Sequence, residues 1–165
     1  MRIIGIDPGY DLLGYGVIEK DEDGLKYISH GAIKTNKGDT LEERLLCIYE
    51  RFNQILSEYK PDLAAVEKIY FVQSKTTAMK VAQARGVVLL ALAQRGIKIV
   101  ECGPQEVKMS VVGYGRAKKS QVQKMIKVLL NLPKVPKPDD AADALAIAWC
   151  SVNKGGVDLY GVNEE

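Results

Sequence analysis

The stretch that decides the fold is MRIIGID, residues 1–7, which Pro8 and Gly9 follow directly. A nearly continuous apolar run of this length is typical of a strand that is buried on both faces in the middle of a sheet. Its last residue is an acid rather than another hydrophobe. These residues therefore predict a central strand that presents Asp7 at its end.

The following segments predict two strands beside this one. Residues 14–20 and 25–35 flank the sequence DEDG, which is typical of a turn between antiparallel strands. After them, Thr40 and Glu43 form the capping-box pattern that begins a helix, and Pro61 ends it. Three strands and a helix thus open the predicted fold.

The rest of the chain predicts two more strands and four more helices. Residues 63–67, LAAVE, and residues 97–102 are short apolar strands. Between them, the Ala-, Val- and Leu-rich sequence 76–94 predicts a long, largely buried helix. A short helix follows Pro104, an amphipathic helix comes next, and a final helix runs from about residue 139 to 152.

The composition favours one folded domain. Of the 165 residues, 47% are hydrophobic and 27% are charged, which excludes a disordered chain. We expect one domain over residues 1–153 and a flexible tail over residues 154–165. The longest apolar run, residues 86–93, is too short to cross a bilayer, and we find no signal-peptide pattern. We therefore expect a cytoplasmic protein without a membrane segment.

The charges are segregated along the chain, although the net charge is only +2. Residues 68–100 contain basic side chains and no acid, and residues 104–138 contain a single acid, Glu106. Such clustering favours a basic face that binds phosphates. Lysines that only solvate exposed helices would give the same pattern, so charge alone leaves nucleic-acid binding open.

Four acids stand out because of where they lie. Asp7 and Glu67 each end an apolar strand, and Asp140 and Asp143 share one face near the start of the last helix. Carboxylates beside a core are costly unless a cation compensates them. Mg²⁺ and Mn²⁺ prefer oxygen ligands, and a pair roughly 3.5–4 Å apart can promote phosphodiester hydrolysis. Each acid alone could be a turn, an ion pair or a helix start, but the set favours a metal site.

Several motifs in order resemble one family across nearly the whole chain. They are GIDPG, GYGV, VEKIYF, QARG, VVGYGRAKKSQVQ and DDAADALAIA. Together they resemble the RuvC crossover junction endodeoxyribonucleases. The resemblance implies an α/β, ribonuclease H-like fold: a five-stranded mixed sheet, with the first three strands antiparallel and helices on both faces. It also implies an enzyme that resolves four-way (Holliday) junctions by paired symmetric nicks.

The resemblance assigns roles to individual residues. Asp7, Glu67, Asp140 and Asp143 match the family's catalytic, metal-binding acids, which implies two Mg²⁺ ions per active site, with Mn²⁺ able to substitute. Some members carry histidine at the Asp140 position, and the adjacent Asp139 could be mistaken for it.

The resemblance also implies contacts with DNA and with other proteins. Lys108 and Lys119 match basic positions near the scissile phosphate, and we expect Lys118 and Arg116 in the same segment to contact DNA. Tyr70 matches an aromatic position that stacks on an unpaired base, a role that Phe71 could take instead. The implied partners are a second copy of the chain and branch-migration proteins of the RuvA and RuvB type. The apolar helix after Thr76 is our expected part of the dimer interface.

Three other functions are consistent with parts of the pattern. A ribonuclease H would use similar acids and metals on RNA/DNA hybrids. A nucleotide-binding module of the actin and sugar-kinase type also has a strand bearing Asp and Gly, but it needs two domains, for which 165 residues are too few. A junction-binding protein without activity would need no complete set of acids.

Overall fold

The chain forms one mixed sheet with helices on both faces, in a computed structural model that describes residues 1–69, 75–152 and 154. The elements in chain order are β1 (Arg2–Asp7), β2 (Leu12–Asp21), β3 (Gly24–Lys34), α1 (Leu41–Tyr59), β4 (Leu63–Glu67), α2 (Lys75–Gln94), β5 (Lys98–Cys102), α3 (Pro104–Val112), α4 (Lys119–Leu129) and α5 (Asp139–Ser151). The predicted order of elements is confirmed.

The strands lie in the order β3-β2-β1-β4-β5. β1 pairs antiparallel with β2, and β2 pairs antiparallel with β3, whereas β1–β4 and β4–β5 are parallel pairs. The first strand is therefore central, as its apolar run predicts, and it is flanked by one antiparallel and one parallel neighbour.

Alternation along β1 divides the core into two halves. Ile4 and Ile6 are fully buried in a cluster with side chains of α1 and α2. Ile3 is fully buried on the opposite face, in a cluster with α3, α4 and α5. Because successive side chains of a strand point to opposite faces, one apolar strand supplies both halves of the core.

Helix α5 lies unusually close to β1 and β2 at Gly5, Gly14 and Gly16. A Cβ atom on Gly5 would lie 2.0 Å from the carbonyl oxygen of Ala144 and 2.5 Å from the backbone nitrogen of Ala148. A Cβ atom on Gly14 would lie 2.2 Å from the carbonyl oxygen of Asp140. The helix backbone therefore rests directly on the strand backbones, which only glycine permits.

Helix α1 begins as predicted. The Thr40 hydroxyl accepts a hydrogen bond from the Glu43 backbone N–H at 3.4 Å, and the Thr40 N–H donates to the Glu43 carboxylate at 2.8 Å. This reciprocal pair satisfies two N–H groups that a helix start otherwise leaves unpaired. The predicted capping box is confirmed.

The prediction of a largely buried α2 is wrong on one side of the helix. Ala84, Val88 and Leu92 are buried, but Met79 is 65% exposed and Leu90 is 55% exposed. The sheet covers only one face of α2, and the apolar residues of the other face remain at the surface. Across the described residues, every helix is either too short or too polar to serve as a membrane span.

We predict that Gly5→Ala destabilises the fold by about 3 kcal/mol or more, because the added methyl group overlaps the backbone of α5. Urea unfolding measures the change. The matched control is Gly38→Ala, where a Cβ atom would meet nothing nearer than 3.7 Å. Equal stability of the two variants would contradict the close packing of α5.

Candidate active site

Two carboxylates lie side by side at one edge of the sheet. β1 and β4 are parallel, and Ile6 of β1 is paired with Val66 of β4. Asp7 and Glu67, the next residues, end these adjacent strands in the same direction. The convergence of these two acids thus follows from strand pairing, which links sequence positions 60 residues apart.

Helix α5 brings two further carboxylates to the same edge. Asp7 is paired with Gly14 of β2, and the backbone of Asp140 lies directly on Gly14. Asp143 follows one turn later on the same helix face. The four predicted acids therefore lie together, and the packing of α5 on the glycines places two of them.

The acids interact strongly through their charges. Burial, followed by the charges of Glu67, Asp143 and Asp140, raises the pKa of Asp7 from 3.8 to about 8. Burial and then the charge of Asp143 also raise the pKa of Glu67. The charge of Lys119 opposes both shifts. Burial and the neighbouring charges thus disfavour the ionised forms of Asp7 and Glu67, as expected where a cation is needed to balance them.

The donor set fits a hard divalent cation. Asp7, Glu67, Asp140 and Asp143 offer only oxygen atoms, which Mg²⁺ and Mn²⁺ prefer, and a bound cation would relieve the repulsion that raises the pKa of Asp7. Among the residues that the structure describes, no three acidic, histidine or cysteine side chains are arranged so that they could hold one metal ion together. The fit therefore rests on the chemistry and the shared location of the four acids.

Lys119 and Gln123 hold Asp143. The ammonium nitrogen of Lys119 lies 2.6 Å from one carboxylate oxygen of Asp143, and the Gln123 amide donates to the other at 3.4 Å. Burial lowers the pKa of Lys119. The hydrogen bond to Asp143 and the charges of Asp143, Asp7 and Asp140 raise it by more than burial lowers it, so the net shift of the pKa is upward. Lys119 therefore stays charged beside the acids.

Three recesses meet at the acids. The acid recess, of about 370 Å³, is lined by Asp7, Glu67 and Asp140 together with Pro8, Gly9, Lys68 and four apolar residues. The lysine recess, of about 160 Å³, is lined by Glu67, Asp143, Lys108 and Lys119 against an apolar wall of α3, α4 and α5. The loop recess, of about 340 Å³, runs from Asp140 along Gly9, Tyr10 and Asp11 of the 8–11 loop and Leu12 of β2 to Thr77, Lys80 and Val81 of α2.

The other predicted site residues are placed differently. Arg116 and Lys118 are exposed in the segment that leads into α4, next to Lys119 but not among the residues that line the lysine recess. Asp139 is paired with Lys137 at 2.6 Å, whereas its neighbour Asp140 lines the acid recess. This distinction favours Asp140 as the fourth acid.

Part of the predictions lies outside the described residues. Tyr70 and Phe71, the two candidates for stacking on a base, are among these, as are residue 153 and residues 155–165, most of the tail.

Sequence reasoning missed three features of the site. Gln123 was visible in the QVQ motif, four residues after Lys119 and thus on the same helix face, but we assigned it no role. Lys80 lines the loop recess; it belongs to the basic segment 68–100, but nothing in the sequence places it beside this site. The 8–11 loop also lines that recess, although we predicted no functional residue between Asp7 and this loop's end.

Comparison with known proteins gives one consistent family. The sequence profile of the family described as "Crossover junction endodeoxyribonuclease RuvC" matches residues 3–151. A protein of that name from Thermosipho melanesiensis is 53% identical over 150 residues, which cover 91% of this chain and 96% of that protein. Another from Alkaliphilus metalliredigens is 51% identical over 155 residues, covering 94% of each chain.

Solved structures agree with this result. The structure of Thermus thermophilus RuvC in complex with a Holliday junction substrate is 35% identical, with a TM-score of 0.86 over 92% of this chain and 93% of that chain. The yeast mitochondrial Holliday junction resolvase Ydc2 is 15% identical with a TM-score of 0.64 and shares the fold. The predicted fold class, a ribonuclease H-like α/β sheet, is confirmed.

We predict that Asp7→Asn stabilises the metal-free protein at about pH 8 by roughly 2–4 kcal/mol. The folded pKa of Asp7 lies above the unfolded one, so its contribution to stability is present below about pH 3.8 and is lost as the pH rises towards 8. Asparagine removes this loss, and the difference between the two proteins should shrink as the pH falls. Denaturant unfolding at several pH values measures it.

The control is Glu50→Gln, which neutralises an exposed carboxylate of α1 that lines none of the three recesses. Added Mg²⁺ should stabilise the unsubstituted protein more than Asp7→Asn, since binding to the folded state alone raises stability. A lower stability of Asp7→Asn at every pH would contradict the charge crowding.

Proposed function

Since the chain belongs to the RuvC family of crossover junction endodeoxyribonucleases, we propose that it resolves four-way DNA junctions by paired symmetric nicks at the cluster of Asp7, Glu67, Asp140 and Asp143. Membership makes the chain a metal-dependent endodeoxyribonuclease. The observation that supports the specific site is the meeting of these four carboxylates, from two strands and one helix, beside Lys119.

The four acids would hold two Mg²⁺ ions, with Mn²⁺ able to replace them. Bound divalent ions at such a site activate water and stabilise the leaving oxygen of a phosphodiester. Glu67 lines both the acid recess and the lysine recess, so its carboxylate would lie beside a scissile phosphate bound in either one. Gln123 would keep the Asp143 carboxylate turned towards the site.

Lys119 and Lys108 would supply the protein's own positive charge. Both line the lysine recess, and Lys119 already lies within hydrogen-bond distance of Asp143. Ammonium groups fixed near a phosphodiester stabilise the charge that develops in the transition state. Arg116 and Lys118, exposed nearby, would contact the DNA backbone and contribute to salt-dependent affinity.

Symmetric nicking needs two active sites related by a twofold axis, so we include a homodimer in the proposal. The exposed side of α2 carries Met79, Ala82, Gly86, Leu90 and Ala93 at helical spacing, and none of them is charged. A Cβ atom on Gly86 would meet nothing within 4 Å, so the single chain leaves room there for close approach by another helix. An uncharged helix face of this kind is what a twofold interface would bury.

Further parts of the proposal rest on family membership. Branch-migration proteins of the RuvA and RuvB type would deliver the enzyme to junctions. The enzyme would act in the cytoplasm, the compartment of its DNA substrate. A base of the opened junction would stack on Tyr70.

We predict that the protein with Mg²⁺ cuts a synthetic four-way junction at paired positions near the crossover, and that it leaves linear duplex and RNA/DNA hybrid uncut. Asp7→Asn should lower the cleavage rate at least 1000-fold, because it removes a central oxygen donor. Lys119→Met should lower it about 100-fold, the usual effect of losing one transition-state contact.

Product mapping on sequencing gels distinguishes the outcomes. Cutting of the hybrid alone would assign the chain to ribonuclease H chemistry, and tight junction binding without cutting would make it a binding protein. Val128→Lys on α4, which is 70% exposed and lines none of the three recesses, is the control that should cut at the normal rate.

We predict that Leu90→Lys weakens the dimer at least tenfold, because it buries a charge at the centre of the exposed side of α2. Sedimentation equilibrium measures the dissociation constant. Val128→Lys places the same charge on a different exposed helix and should leave the dimer intact. An unsubstituted protein that stays monomeric at micromolar concentration would contradict the dimer.

A further inference from the structure

A charged side chain that the proposed chemistry does not use is buried next to the active site. Arg44 on α1 is only 5% exposed. Burying a guanidinium group is costly unless its N–H donors find acceptors, so the surroundings of Arg44 must compensate for its charge.

The contacts of Arg44 tie it to the 8–11 loop. Its Nε–H donates to the Thr35 hydroxyl at 2.9 Å, and its Nη2 group donates to the Tyr10 carbonyl oxygen at 3.4 Å and to the Asp11 carboxylate. The guanidinium carbon lies 3.7 Å from the centre of the Tyr10 ring. One arginine thus contacts the backbone, the ring and the carboxylate of two consecutive loop residues.

Thr35, the residue after β3, completes the network. Its hydroxyl donates to the Tyr10 carbonyl oxygen at 2.8 Å, and its backbone N–H donates to the Asp11 carbonyl oxygen at 3.1 Å. Thr35 is 3% exposed, so these hydrogen bonds form in a site that excludes most water. Arg44 and Thr35 together fix the 8–11 loop through hydrogen bonds to Tyr10 and Asp11.

The loop that they hold follows the catalytic Asp7 directly. Pro8 and Gly9 line the acid recess, and the loop continues through Tyr10 and Asp11 along the loop recess, with Asp140 lining both. Arg44 lines neither recess. A change at Arg44 can therefore reach the reaction only through the loop.

We propose that Arg44 is a positioning residue for DNA cleavage, which fixes the 8–11 loop and thereby the Asp7 carboxylate and the wall of the loop recess. This inference rests on the proposed function. Small displacements of a carboxylate that must meet the phosphate and the other acids lower the rate of cleavage more than they lower binding of the whole junction.

Arginine suits this role and lysine does not. The planar guanidinium group donates to several acceptors in fixed directions while it stacks on the Tyr10 ring. A lysine ammonium group could keep the charge beside Asp11 but could not reproduce the fork and the stack together. The hydrogen bond from Arg44 also lowers the pKa of Asp11, an exposed acid of the loop recess, so Asp11 stays ionised beside the guanidinium group.

The experiment compares four variants in single-turnover cleavage of a four-way junction at saturating protein, with junction affinity measured separately without Mg²⁺. We expect Arg44→Met to lower the cleavage rate about 30-fold while affinity changes less than threefold. Arg44→Lys should be intermediate. Thr35→Val, which removes one hydroxyl from the network and perturbs folding less, should lower the rate about fivefold. Asp11→Asn, which removes only the ion pair, should stay within threefold of the unsubstituted protein.

Hydrogen exchange provides a readout that does not depend on activity. In Arg44→Met, the Thr35 amide, which donates to Asp11 in the loop, should exchange at least tenfold faster. The Ile4 amide in the central strand β1 should keep its protection. Faster exchange at both amides in proportion would mean a general loss of stability and would overturn the proposal.

Two further results would also overturn it. Folded Arg44→Met that cuts at the normal rate would show that the loop does not need the arginine. An effect of Asp11→Asn as large as that of Arg44→Met would show that charge neutralisation, rather than loop geometry, carries the effect. If the unsubstituted protein fails to cut junctions, the proposed function fails, and an unchanged exchange rate at Thr35 would separately refute the support of the loop by Arg44.

Discussion

The direct contact between the backbone of α5 and the glycines of β1 and β2 is the constraint on which the rest of the structure depends. Gly5 and Gly14 remove the side chains that would otherwise hold the helix away. The helix then completes the core on one face of the sheet and carries Asp140 and Asp143 to the edge where Asp7 and Glu67 end. Core packing and assembly of the acids are therefore the same event, because one contact between a helix and two strands produces both.

The clustering of carboxylates beside the core lowers the stability of the fold, but it gathers the oxygen donors that a divalent cation prefers. Carboxylates that would be solvated at the surface are placed beside apolar strands and beside one another, which raises the pKa of Asp7 and of Glu67. Lys119 offsets part of the cost through its ion pair with Asp143. A second buried charge lies under the 8–11 loop, where Arg44 is balanced by the Asp11 carboxylate, the Tyr10 carbonyl oxygen and the Thr35 hydroxyl. The site thus combines a cluster of acids that lowers stability with a neighbouring network in which the buried guanidinium group of Arg44 has hydrogen-bond acceptors.

Much of the fold was predictable, because local patterns determine it. The apolar run of β1, the turn after β2 and the Thr40 capping box each indicate a structure that the protein adopts. The four acids could be nominated from their positions and from a family resemblance, but their convergence depends on strand pairing, which no local pattern encodes. Arg44 was missed because an arginine on an amphipathic helix usually lies at the surface, and its burial depends on a loop that is distant in sequence. The burial of α2 was overestimated for the opposite reason, since apolar residues on a helix usually indicate burial in its own chain, although the same residues led us to expect part of a dimer interface there.

The order of the acids along the chain determines when the site can assemble during synthesis of the protein. Asp7 belongs to the first strand and Asp143 to the last described helix, so the ribosome makes almost the whole domain between them. Until α5 has left the exit tunnel, one face of the sheet lacks the helix that rests directly on its glycines, and the edge lacks two of the four acids. Under the proposed assignment of the site, the growing chain therefore completes its set of acids, and with it any cutting activity, only when α5 has been made.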